Sequence, residues 1–282
     1  MLKKGIPQFF ICTIVICLIF SVNPVSLYAA ESAPSPTAAR LNPSQEGLDC
    51  AWEALALYYR DPSNIDKAID MVEEKLSREP DNMEALLLLS RAWLTYGYVK
   101  ARSKEDLIRV FENGTSAAEK AVEIAPRNPD AHFYYVANLA SLGDTKGLFN
   151  SLFMLPEVRR ELDLILELNP NHENALAMQG ALFYYLPGIL GGDMRISEIY
   201  IRRALSVDPH LSSAKLYLAM NLRKQKRYGE ALTELRELVK EKDPTFYPDW
   251  HLNRRYALKM ISGINKEMGK SPKKGIQPKD RL

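Results

Sequence analysis

Four prolines in this chain are each followed five residues later by alanine: Pro80 with Ala85, Pro126 with Ala131, Pro170 with Ala175 and Pro209 with Ala214. A run with helical apolar spacing precedes each proline (Ile69, Val72 and Leu76 before the first; Leu162, Ile165, Leu166 and Leu168 before the third), and another follows. Proline cannot continue the helix that reaches it but suits the entry to the next, so each marks a helix-turn-helix seam. With Pro244 as a further break, the successive spacings are 46, 44, 39 and 35 residues. Self-similarity at such a period predicts an all-α α-solenoid of about five helix pairs, each burying its apolar face against its neighbours.

The ends of the chain read differently. Lys3 and Lys4, an apolar run over residues 9–22 and the small-residue pair Ala29 and Ala30 predict a secretory signal peptide over residues 1–30, cleaved near Ala29 or Ala30. Losing Lys3 and Lys4 takes the formal net charge from +2 to zero, which argues against a nucleic-acid partner. Cys12 and Cys17 leave with the same segment, so Cys50 stands alone and no internal disulfide is expected. Neither signal cysteine follows a small residue, so the product is expected in the periplasm or secreted, without a lipid anchor. Residues 31–46, rich in Pro, Ser and Ala, predict a flexible lead-in, residues 47–268 the solenoid, and residues 269–282 a disordered basic tail.

Trp52, Leu55, Ala56 and Tyr59 share one helix face, Asp61-Pro62-Ser63-Asn64 breaks it, and Ile65, Ala68, Ile69, Val72 and Leu76 form the return helix. This order, closed by Pro80, resembles the tetratricopeptide repeat over residues 49–82. The longer later units keep their seams unchanged, so their extra residues are expected between the two helices of a unit, all on one edge of the stack. Ser103 to Asp106 predicts a helix start. A final helix from about Asp249 to Lys266 is expected to cap the array.

No catalytic signature is present: there is no G-x-S-x-G, no phosphate-binding Gly-Lys-Ser/Thr loop and no H-E-x-x-H. An enzyme is therefore not expected, nor a cofactor or a metal. His172 and His210 follow seam prolines and read as solvated turn residues, whereas His132 lies on a first helix and could face a groove. The first helices carry an excess of aromatic residues, including Trp93, Tyr96, Tyr134, Tyr135, Tyr184 and Tyr185. First helices line the concave side of such arrays, so these residues are candidates for a ligand- or partner-binding groove. Arg159 and Arg160 are candidates to meet a carboxylate, with a surface pairing to Glu157 and Glu161 as the alternative. Pro187, Gly188, Gly191, Gly192 and Asp193 read as a structural turn: a helix stop, backbone freedom at the glycines and a cap for the next helix.

Residues 117–239 carry AVEIAP, then GLFNSLFMLPEVRRELDLILELNPNHENAL, then YYLPGILGGD before the RRALSVDP seam. This stretch is similar to the periplasmic tetratricopeptide component associated with TRAP-type transporters, the TatT-like family. The resemblance implies a non-catalytic periplasmic protein that forms homo-oligomers and docks a solute-binding protein or binds a small organic acid, accessory to uptake. The alternative is a plain scaffold for envelope protein-protein interactions with no small-molecule site.

Overall fold

A computed structural model describes residues 43–270; the expected signal peptide, most of the lead-in and the basic tail lie outside the described residues. The described chain is helical, in five pairs and one further helix. The pairs are α1 (Pro43–Ala56) with α2 (Ser63–Arg78), α3 (Met83–Val99) with α4 (Lys104–Ile124), α5 (Pro129–Lys146) with α6 (Leu148–Leu168), α7 (Glu173–Tyr185) with α8 (Met194–Val207), and α9 (Ser212–Lys224) with α10 (Tyr228–Lys240). A 3-10 turn, Gly188–Leu190, separates α7 from α8, and α11 (Tyr247–Lys270) closes the chain.

Each seam works the same way. A residue before proline is pushed out of the helical region, and Glu79, Ala125, Asn169 and Asp208 all sit at φ −130 to −139° and ψ 73 to 96°. That stops α2, α4, α6 and α8 one residue short of the proline. Two residues beyond it the next helix is capped. Asn82 accepts from the Ala85 N–H, Asn128 from Asp130 and Ala131, and His172 from Ala175; Leu211 makes no such bond. The alanine of each seam is fully buried, so the motif couples a helix stop, a cap and a site of close approach. His172 is therefore no solvated turn residue: it is buried, its Nδ1 takes the Ala175 N–H, its Nε2 lies 3.3 Å from Asp130, and its ring meets Phe133 at 5.2 Å.

The added length of the second and third units lengthens the helices themselves: α3 to α6 run 17 to 21 residues against 13 in α9 and α10. Ser103 caps α4 as expected. Gly114 does not interrupt that helix; it lets α4 lie against the Asn138 side chain, which a Cβ there would overlap. Only Gly147, at φ +106°, joins α5 to α6, a backbone conformation that glycine alone adopts readily.

The last helix does more than cap. It begins two residues earlier and runs four further than expected, and its first turns reach back to the first unit. The Tyr58 hydroxyl donates to Asp249 at 2.9 Å across 191 residues of sequence, Trp52 packs on Phe246 and Tyr59 on Tyr247.

Candidate functional site

The start of the last helix meets the first two units around one arginine. Arg91 on α3 is almost fully buried: its guanidinium lies 4.7 Å from the Trp52 ring and 4.5 Å from the Phe246 ring, donates to the Tyr134 hydroxyl at 3.3 Å and sits 3.5 Å from the Asp249 carboxylate. Burial pushes the Asp249 carboxyl well above the ordinary range, and Arg91 and the Tyr58 hydroxyl oppose that only in part. Burial and the neighbouring Asp249 likewise raise the Tyr58 phenol. Asn253, one turn further along α11, donates to the Ser212 hydroxyl at 3.0 Å, and Trp250 donates to the Leu238 carbonyl at 2.7 Å.

The candidate residues do not converge on one opening. Trp93 is buried beside Tyr96, and the Arg109 guanidinium lies 5.6 and 5.9 Å from their two rings. Tyr134 is core, against Phe133 and Arg91. Tyr135 is half-buried on the opposite side, donating to Glu157 at 2.8 Å; burial, reinforced by that carboxylate, raises its phenol. Tyr184 and Tyr185 meet edge to face at 4.6 Å, and the Lys224 ammonium lies 4.5 Å from the Tyr184 ring. Of the candidate aromatics, Trp93 and Tyr134 are buried in the core, whereas Tyr96, Tyr135, Tyr184 and Tyr185 are half-buried. His132 does not face a groove either: its Nδ1 is 2.6 Å from the Glu161 carboxylate and its Nε2 is 3.1 Å from the Pro126 carbonyl, while Cys50 is exposed on α1.

The two arginines part company. Arg160 lies on the surface, 3.3 Å from Glu157 and 3.4 Å from Glu161, which is the alternative reading of it. Arg159 turns to the 3-10 turn and donates to the Leu190 carbonyl at 2.5 Å, clamping that turn onto α6. The turn itself is built as its residues predict. Gly191 is left-handed at φ +85°, a Cβ on Gly192 would overlap the Leu186 carbonyl oxygen, and Asp193 caps α8 by accepting from Arg195 and Ile196. Those two amide hydrogen bonds lower the Asp193 carboxyl below its usual range.

The start of α6 carries the feature that sequence reasoning missed. Phe149 and Phe153, one helical turn apart at the start of α6, are 87% and 86% exposed, and Leu148 and Leu152 beside them are exposed as well. Ile189 on the clamped turn is 93% exposed. The doublets Leu148-Phe149 and Leu152-Phe153 are spaced for one helix face, but the sequence does not state whether a neighbour covers it. Isolated exposed apolar residues are ordinary; several large ones on one helix face mark an interaction surface. Among the described residues, no group of three His, Cys, Asp or Glu could hold a metal ion, and no helix is long and apolar enough to cross a membrane.

Residues 53–186, from α1 to just past the end of α7, match the family model described as Regulator of microtubule dynamics protein 1-3. No curated protein matches the chain. Among solved structures, a thermophilic TPR protein of Thermus thermophilus is 19% identical, covers 77% of this chain and 99% of its own, and superposes with a TM-score of 0.59. PilF of Pseudomonas aeruginosa is 14% identical over 80% of this chain and 92% of its own, with a TM-score of 0.48. MamA is 15% identical over 81% of this chain and 99% of its own, with a TM-score of 0.40. The Thermus likeness establishes the tetratricopeptide fold and stops there. The family model ends at residue 186, part-way through the stretch that is similar to the TRAP-associated component.

Proposed function

We propose that this chain is a non-catalytic scaffold that docks protein partners on the exposed face at the start of α6. The observation that carries the reading is the exposed row Leu148, Phe149, Leu152 and Phe153 on the first turns of α6. Residues at i, i+1, i+4 and i+5 offer the stripe on which an amphipathic partner helix packs. The occupant is thus an apolar helix face of another envelope protein. Its compartment follows from the signal-peptide reading of residues 1–30. A solute-binding protein of a TRAP-type system would be one such partner, and the resemblance over residues 117–239 supports that narrower version.

The test pairs capture with titration. A partner recovered from the host envelope by the wild-type chain is purified and titrated against wild type and Phe149→Glu/Phe153→Glu. Two central apolar anchors are worth roughly 2 kcal/mol or more each, so the variant is expected to bind at least ~100-fold more weakly with an unchanged melting temperature. Equal affinity contradicts the reading.

A further inference from the structure

A tetratricopeptide array grows by stacking, so its first and last elements are held by their own neighbours and have no need of one another. In this chain they touch. The Tyr58 hydroxyl donates to the Asp249 carboxylate, the Arg91 guanidinium lies 4.5 Å from the Phe246 ring, and Trp52 packs on Phe246 at 5.6 Å. Beside them Tyr59 meets Tyr247 at 5.0 Å and His251 at 5.5 Å. Residues 52–59 and Arg91 thus form one side of the contact, and residues 246–251 the other.

Each side also has a seat that uses nothing from the far end. Along α11, Asn253 donates to Ser212, Trp250 to the Leu238 carbonyl and Arg254 to the Val239 carbonyl, while Arg223 pairs with Glu267. Ala257 and Ile264 are fully buried further along the same helix, which packs on α9 and α10. The first unit is seated in the same manner: α2 buries Ile65, Ala68, Ile69 and Val72 and packs on α1 and α3. Parting the two ends therefore leaves both seats intact.

The centre of the contact is polar. Asp249 is fully buried, and its Oδ1 takes the Tyr58 bond; its Oδ2 has the Arg91 guanidinium at 3.5 Å and, among the described residues, no hydrogen-bond partner. A buried ion pair repays the hydration it loses only when its geometry is excellent, and one at 3.5 Å without a hydrogen bond to Oδ2 falls short of that. Separation returns carboxylate and guanidinium to water, which offsets the loss of the ring contacts around them.

We propose that this contact is a clasp that opens as a unit, parting the two ends of the array while every helix pair stays folded. Opening uncovers a cation and aromatic rings together, Arg91 with Trp52 and Tyr58, so the clasp controls access to that patch. The device stands apart from partner docking on α6, none of whose residues belongs to it.

Distances between paired spin labels test it. One label goes on Cys50, which is exposed on α1, and the other on Lys259→Cys, at an exposed position of α11, in a chain carrying Cys12→Ala and Cys17→Ala. With the clasp intact the short distance is expected to dominate. Tyr58→Phe/Phe246→Ala is expected to populate a second, longer distance while the helical circular-dichroism signal stays unchanged. Tyr59→Ala, which removes only the ring contacts beside the clasp, is expected to act in the same direction and serves if the double variant fails to fold. A single short distance in the folded variants, or a longer one that appears only as helical signal is lost, overturns the proposal.

Discussion

Gly192 is the residue on which the turn of the fourth unit depends. A methyl group there would enter the Leu186 carbonyl oxygen, which belongs to the backbone and cannot swing aside, whereas a methyl on Gly188 meets nothing within 4 Å. Gly192→Ala is expected to cost about 1–3 kcal/mol, seen as a melting temperature lower by roughly 3–10 °C, and Gly188→Ala is expected to change neither. Glu241 is one carboxyl through which acid should destabilise the fold. Burial alone would raise its carboxyl, but Lys215 at 2.9 Å and the Asp243 N–H outweigh that and hold it at about 2. A carboxyl lowered by folding stabilises the native state above its unfolded value, near ~4.3, and that contribution is lost as pH falls toward the folded value. Glu241→Gln should therefore flatten the dependence of melting temperature on pH between about 4.3 and 2, while leaving the dependence above about pH 5 unchanged. An undiminished slope in the variant would assign the acid loss to other carboxylates.

At the scale of elements, the seams are what the sequence makes legible. Pro80, Pro126, Pro170 and Pro209 announce the ends of α2, α4, α6 and α8 because a pre-proline residue cannot stay helical, and the buried alanines match the close approach that follows. The caps two residues on are readable at Asn82 and Asn128, which are common capping residues, and not at His172, whose role needs the buried ring to be seen beside Phe133. The inward reach of α11 is not readable, since nothing local in Asp249 or Phe246 states that its partner lies near residue 58 or 52. That contact rests on a buried ion pair, and breaking one partner leaves an uncompensated charge. Arg91→Met is expected to cost about 3–5 kcal/mol, and Arg91→Met/Asp249→Leu markedly less, measured by urea unfolding. A double variant no better than the single one would show that Tyr58 and Tyr134 depend on the charges themselves.

For the whole molecule, the consequence is a tetratricopeptide array in which the start of the last helix touches the first unit and Arg91 of the second. Periodicity places the aromatic surplus on the first helices, but it does not state the use of those rings: Trp93 and Tyr134 are buried in the core, and Trp52 packs against it half-buried. The exposed residues of α6 are hidden in the same way, because an apolar helix face looks identical in sequence whether a neighbour covers it or not. Site-specific photo-crosslinking in the native host separates the two faces in one experiment, with p-benzoylphenylalanine placed at Phe153 on the edge or at Phe246 inside. The account predicts adducts to another protein from position 153 and only an internal bond to the first unit from position 246. Adducts to a partner from position 246, with none from position 153, would contradict it.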